Sequence, residues 1–358
     1  MTKHLWLAGA LIIGHASVAP GQRVHTIVPT PRNVVWGGYD PMAEPAIRVA
    51  SGDIVDVTAV STCNPASMLR NGVDSAHIEP YRLELNRARD SLRGRPDSLR
   101  VGPGGHILTG PIYVEGADSG DVIEVRFETI RPAIAYACNS FGPRSGFVPE
   151  SFPNTSRTKI IPLDTVRMVG HFPTDSTHKR GMGSDDITIP LAPFWGSVGV
   201  APPKDSGRIN SAPPSLHAGN LDNRHLVAGT TLFIPVWVKG ALLEVGDGHA
   251  GQGNGEVDIT ALETQLHGRM RLTVRKDLRF RWPRAETPTH YIAMGMDKDL
   301  TKATKIAVNE AINLIASIKG MSREDAYQLT SVACDVEVTQ LVDGNVGVHV
   351  MIPKGIFR

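Results

Sequence analysis

An acid, an imidazole, an amide and a second acid share one glycine-spaced run in this chain, Gly246-Asp247-Gly248-His249-Ala250-Gly251-Gln252-Gly253-Asn254-Gly255-Glu256. These are the groups that move protons, ligate metal ions and orient small polar substrates. The run cannot be a helix. Glycine leaves the backbone free to take positive φ and to approach other groups closely, so the polar side chains can be turned into one small volume. The upstream flank from Thr231 to Val245 is rich in strand-favouring residues. The downstream flank Glu256-Val257-Asp258-Ile259-Thr260 alternates polar with apolar, so the run is expected to join two strands.

Three other segments combine turn residues with reactive side chains. His106 precedes Ile107-Leu108-Thr109-Gly110-Pro111-Ile112-Tyr113-Val114-Glu115-Gly116-Ala117, which leads to Gly120-Asp121. His217-Ala218-Gly219-Asn220-Leu221-Asp222 holds an imidazole, an amide and a carboxylate, and Phe194-Trp195-Gly196-Ser197-Val198-Gly199 is apolar but glycine-spaced. With the opening run, these segments resemble the acetamidase/formamidase family, in order from about Thr26 to the C-terminus. The resemblance implies hydrolysis of a small linear carboxamide (formamide- or acetamide-like) to a carboxylate and ammonia, on a β-rich fold, as a homo-oligomer (dimer or higher). The chain departs from the family pattern at two places. A tryptophan-histidine-proline type segment is common where Phe194-Trp195-Gly196-Ser197 stands, and Asn254 occupies a position where aspartate is usual. Two alternatives follow: a hydrolase opening a lactam or other cyclic amide, and a secreted binding protein that keeps the pocket without turnover.

Amide hydrolysis needs a strong nucleophile, donors for the developing oxyanion and an acid for the leaving nitrogen. A metal ion held by histidine and carboxylate ligands can activate water. A serine, a cysteine or a glutamate-activated water can attack without one. Neither H-E-x-x-H nor G-x-S-x-G occurs to decide the matter. The family-matching loops supply His106, Glu115, His217, Asp222, Asp247, His249, Gln252 and Glu256 and few hydroxyls, which favours the metal route. Mixed nitrogen and oxygen donors suit zinc, and calcium, which prefers several oxygens, is the alternative. The expected ligands are Asp222, His249 and one of Glu115 or His106. Glu256 or Glu115 is the expected proton shuttle, and Asn220, Gln252, His217 and Trp195 are expected to contact substrate. Each has a plainer reading: His106 as a strand cap, Glu115 turned to solvent by strand alternation, His217 bonded within its own loop. Asp53 and Asp121 read as turn formers, Asp247 reads either way, and Glu244 and Asp258 are expected to face water.

Composition bounds the partners. Lys plus Arg (37) nearly cancels Asp plus Glu (36), so a net charge of +1 gives no field for a polyanion, against a nucleic-acid or membrane-surface role. The three cysteines, Cys63, Cys138 and Cys334, lie far apart and form neither a disulfide framework nor a zinc finger; at most one bridge can form. Cys138 and Cys334 sit in apolar contexts, where a thiol acts as a small hydrophobe rather than a nucleophile. At the N-terminus Lys3 and His4 precede the apolar run Leu5 to Ile13, with small residues through Gly21. That run is shorter than the about 20 residues needed to span a bilayer and suits a secretory signal. The expected organisation is a signal peptide over 1–21 and a catalytic domain over 22–358, exported to the periplasm or beyond.

The elements that must position these residues are mostly strands. Gly (36) and Pro (26) exceed ordinary usage, which indicates many turns. Ser51-Gly52-Asp53 and Ser119-Gly120-Asp121 each break a strand-like stretch and read as hairpins of a β-sandwich or barrel-like body. The stretch Glu79 to Arg100 reads as a surface excursion, helical in its first half. Residues 297–320 carry apolar residues at helical spacing, with Asp297 or Asp299 as cap and Gly320 as stop; a second helix starts at Ser322. A hairpin through Asp343-Gly344 closes the chain. The expected fold class is α+β with strands dominant.

Overall fold

A computed structural model describes residues 21–92, 101–173 and 187–357. The expected signal segment, except Gly21, and the stretch 93–100 lie outside the described residues. Among the described residues, strands assemble into a nine-stranded sheet, a six-stranded sheet and two smaller ones. The two large sheets face each other across one apolar core. Val57, Phe127, Leu232 and Met270 enter it from the nine-stranded sheet, and Ile112, Val114, Trp195 and Val245 from the six-stranded one. This is a β-sandwich, as the turn-rich composition suggested. Among the described residues, no helix is long and apolar enough to cross a membrane.

The two Gly-Asp turns differ from expectation. Ile47–Val49 pairs with Ile107–Val114 in the six-stranded sheet, whereas Ile54–Ala59 pairs with Val24–Ile27 and Leu266–Arg275 in the nine-stranded one. The turn at Gly52-Asp53 is therefore a corner between sheets and not a hairpin. The same crossing recurs between Ile107–Val114 and Val122–Pro132. Both aspartates are buried turn formers. Asp53 accepts from the backbone N–H of Arg23 and Ala50, and Asp121 accepts from that of Asp118 and from Lys276. A corner buries its carboxylate because the chain must enter the core side on both strands; backbone donors then replace water.

The C-terminal elements follow the periodicity closely. Asp299 caps the helix Leu300–Lys319 by accepting from Lys302 N–H, and Gly320 ends it in the left-handed conformation. Ser322 caps Arg323–Ala333. Ala303, Ala307, Ala311 and Ile315 pack the longer helix onto Ala293, Val348 and Val350 of the nine-stranded sheet. Contact is so close that a Cβ on Gly295 would stand 2.4 Å from Ala307 N. The closing hairpin pairs Asp335–Gln340 with Val346–Pro353.

Cys138, read as a small buried hydrophobe, is instead disulfide-bonded to Cys63, 75 residues away. Cys334 is the free thiol among the described residues, half-buried, with burial and then Asp335 pushing its pKa up to about 11. A thiol in that state is not a nucleophile at neutral pH. Cys334→Ala is expected to keep full activity. Cys138→Ala is expected to keep catalytic residues in place but to cost about 2–5 kcal/mol through loss of the cross-link. Parallel melting curves and initial rates check both; lost activity in well-folded Cys334→Ala would return the thiol to the mechanism.

Candidate active site

The glycine run is only partly a loop. Leu243–His249 is a strand of the six-stranded sheet, paired with Phe194–Gly199, and the segment from Glu256 to Thr260 is a turn rather than the expected strand. Asp247 and His249 stand two apart, so strand alternation puts both on one face. The register pairs Trp195 with Gly248 and Ser197 with Gly246, which sets Gly196 opposite Asp247. Gly196 matters through what it lacks. A Cβ there would lie 2.5 Å from Asp222 Oδ1, 2.7 Å from Asp247 Oδ2 and 2.8 Å from His249 Cε1. The residue that read as the loss of a polar side chain thus makes room for three polar side chains to converge.

Asp222, with φ +48°, is wholly buried and arrives from the loop after the strand Ala218–Asn220. Asn220 Nδ2 donates to Asp222 Oδ2 at 2.7 Å, which leaves Oδ1 without a hydrogen bond. Glu256, also at positive φ, is brought in because Gly255 bridges to Gln340 of the closing hairpin. That hairpin delivers Asp343 as well. Asp222, Glu256 and Asp343 offer carboxylate oxygens within 4.8 Å of one another, as do the ligand atoms of Asp222, Asp247 and His249 and those of His249, Glu256 and Glu263. Asp222 Oδ1, Glu256 Oε2 and Asp343 Oδ2 are buried without hydrogen-bond partners.

The hydrogen bonds of Gln252 fix the His249 tautomer. Gln252 Nε2 donates to the Asp222 carbonyl at 2.7 Å, so its Oε1 faces His249 Nδ1, 2.9 Å away. An amide oxygen only accepts, hence Nδ1 carries the proton. Nε2 then faces Asp247 Oδ2 at 3.3 Å and Glu263 Oε1 at 3.2 Å. A bare lone pair between two carboxylates is repelled, so a proton or a cation must sit there. Phe194, edge-on to the imidazole at 5.1 Å, closes the apolar side.

Electrostatics agree on the sign of what is missing. Burial, then the charges of Glu256 and Asp343, raises Asp222 well above the ordinary carboxyl range. Burial likewise raises Glu256 well above that range, and burial pushes Asp343 up to about 6. Burial would also raise Asp247, but the charges of His249 and His106 and hydrogen bonds hold it low. Burial opposes a charged His249, and Glu263 and Asp247 outweigh it, raising the imidazole. Five carboxyl groups, Asp222, Asp247, Glu256, Glu263 and Asp343, thus surround His249, with His106 nearby: the site is short of positive charge. A divalent cation fits this donor set. A cavity of about 470 Å³ opens beside it, lined by Arg224, Gln252, Asn254 and Glu256 among others.

The expected residues divide accordingly. Asp222, His249, Glu256, Asn220 and Gln252 are brought together, and His106 joins at the edge, its Nε2 3.8 Å from Asp247 and its Nδ1 2.9 Å from Ser211 Oγ. Asn220 and Gln252 bond Asp222 and His249; both polar ends of Gln252 are engaged, whereas Asn220 Oδ1 has no hydrogen-bond partner. Glu115 is not at the site. It lies exposed beyond its strand, 3.1 Å from Arg48, because the turn that follows carries it to the surface. Trp195 points the other way, into the sandwich core against Phe127 and Gly268, since it alternates with Gly196. His217 is buried edge-on to Tyr39, and burial lowers its pKa to about 4, so it is neutral and packed outside the cluster. Glu244, expected in water, is buried, its pKa raised by burial and then by Asp40. Glu115→Gln should therefore change the rate less than about twofold, as exposed ion pairs contribute little; an inactive, folded variant would restore it to the site.

Comparison with known proteins gives the arrangement a lineage. The family model described as the Acetamidase/Formamidase family matches residues 205–358. An acetamidase from Mycolicibacterium smegmatis is 26% identical over 256 residues, covering 57% of this chain and 60% of that protein. A formamidase from Methylophilus methylotrophus is 28% identical over 191 residues, covering 42% and 47%. The chain spans about half the length of these relatives. The solved acetamidase from Bacillus halodurans superposes with a TM-score of 0.73 at 26% identity, over 93% of this chain and 98% of that one. The family match takes in Asp222, Asp247, His249, Glu256, Glu263 and Asp343, and the structural match extends across nearly the whole sandwich: the C-terminal part of the chain is similar to the Acetamidase/Formamidase family, and its fold is similar to that of the solved acetamidase.

Proposed function

We propose that the chain hydrolyses the C–N bond of a small linear carboxamide, of the formamide or acetamide type, to a carboxylate and ammonia, at a divalent cation held by Asp222, Asp247 and His249. The observation that carries this reading is the buried convergence of Asp222, whose Oδ1 has no hydrogen-bond partner, with Asp247 and His249 on the space that Gly196 leaves open. Zinc is the ion favoured by the imidazole among the donors. A cation there would supply the charge that lowers the pKa of an attacking water and polarises the amide carbonyl.

The chain's own residues do the rest. Asn220 and Gln252 hold Asp222 and His249 in register, the role that outer hydrogen bonds play around ligating side chains. Glu256, with an unpartnered oxygen at the cavity, takes the proton from water as the C–O bond forms and hands it to the amide nitrogen as the C–N bond breaks. The carboxylic acid so formed gives its remaining proton to ammonia or water, and the carboxylate and ammonium leave through the cavity. Phe194 and the buried strands exclude bulk water, which strengthens each charge interaction.

The test is release of ammonia from a panel of formamide, acetamide and longer amides, with a lactam included. Turnover of the linear amides supports the reading. Ring opening alone would reassign the substrate class, and binding without turnover would make the chain a carrier. Export belongs to the same proposal, supported by the signal-like residues 1–21. A mature secreted protein that still begins at Met1 would count against it.

A further inference from the structure

His225, Glu337 and His349 converge apart from the cluster described above, with ligand atoms within 4.8 Å of one another. Glu337 and His349 are cross-strand partners in the closing hairpin, so their side chains leave the sheet together on one face. His225 reaches them from the loop after Asp222, where Asn223 Oδ1 accepts from its backbone N–H and fixes the turn. We propose that these three residues form a second metal site, taking a transition ion of the zinc type, which ties the closing hairpin to the loop that follows Asp222.

Three observations carry this. His349 is wholly buried; its Nδ1 is 2.7 Å from Thr339 Oγ1, and its Nε2 has no hydrogen bond although it is aimed into the cluster. Buried polar atoms without partners are rare, and an imidazole anchored through one nitrogen is the usual state of a metal-ligating histidine. Separations are the second. Glu337 Oε2 lies 3.3 Å from His349 Nε2 and 3.4 Å from His225 Nε2, long for a charged hydrogen bond. Ligands about 2.0–2.1 Å from a tetrahedral ion stand about 3.3–3.4 Å apart, so the spacing matches an ion better than a shared proton. Access is the third: the side chains of His225 and Glu337 are 28% and 30% exposed, which leaves a way in for an ion and a position for water.

Its consequence lies in the neighbouring loop. Asn254 Nδ2 donates to Glu337 Oε2, and Gly255 bridges to Gln340 two residues before Val342 and three before Asp343. An ion on Glu337 would therefore brace the segment that carries Glu256 without touching the first cluster's ligands.

Cobalt(II) serves as probe, because histidine-ligated cobalt absorbs visible light. The full chain carrying Asp222→Asn and His249→Ala, stripped with chelator and dialysed against cobalt, is expected to bind about one equivalent, and adding His225→Ala to remove it. In the otherwise unaltered chain, His225→Ala should lower bound cobalt by about one equivalent and leave the melting curve of the stripped protein in place. This second comparison stands even if the double variant does not fold. Equal cobalt content with and without His225 overturns the proposal. Because the readout is the loss that follows removal of His225, it is independent of whether the first cluster binds metal or hydrolyses amides.

Discussion

Asp222→Asn and His249→Ala are each expected to lower the rate of ammonia release by at least about 100-fold, which is about 2.7 kcal/mol of barrier at 1.36 kcal/mol per tenfold, and to lose bound metal in parallel. Asp222 offers an oxygen that has no other partner, and His249 Nε2 sits between two carboxylates. An amide carries no charge to offer an ion, and a methyl group carries no donor atom. His249→Ala removes the larger share of order. It also frees Gln252, whose oxygen then faces a cavity, so some thermal stability should go with it. Metal analysis beside initial rates checks the pair, and full activity in either variant would remove the site as drawn.

Glu256→Gln should separate the two quantities. Its proposed task is to carry a proton, which a carboxamide cannot do, so the rate should fall by about 10²- to 10⁴-fold while metal content stays near that of the parent. The same substitution also relieves charge crowding, because Glu256 raises the pKa of Asp222. Stability is therefore expected to hold or rise. Loss of metal in Glu256→Gln would turn this residue from proton carrier into ligand.

The parts of the fold set by local rules were legible in the chain. Asp299, Gly320 and Ser322 marked the helix ends, and Asp343-Gly344 marked the hairpin, because caps and tight turns depend on a few neighbouring residues. The glycine run and the His217–Asp222 segment together drew Asp222, His249, Glu256, Asn220 and Gln252 into one site through the resemblance and through residue type. What stayed hidden depends on pairing between distant segments. Glu263 is an acid in the apolar stretch Ala261-Leu262-Glu263, and it joins the site only because it bridges to His249 and Cys138. Asp343 reads as a turn former until the hairpin docks on Gly255. Asp247 reads either way from residue type alone, and strand alternation decides it, since an acid two residues before a strand histidine shares its face. Glu115 and Trp195 show the converse. Being next to reactive segments in sequence did not put them near the site, because a turn carries one outward and alternation sends the other into the core.

The most direct test of amide hydrolysis at a cation held by Asp222, Asp247 and His249 is ammonia release from formamide and acetamide by one preparation of the purified protein, assayed as isolated, after stripping with chelator, and after zinc is returned. Activity that falls with the metal and comes back with it is the predicted result. Undiminished activity in protein holding less than about a tenth of an equivalent of any divalent metal would contradict it.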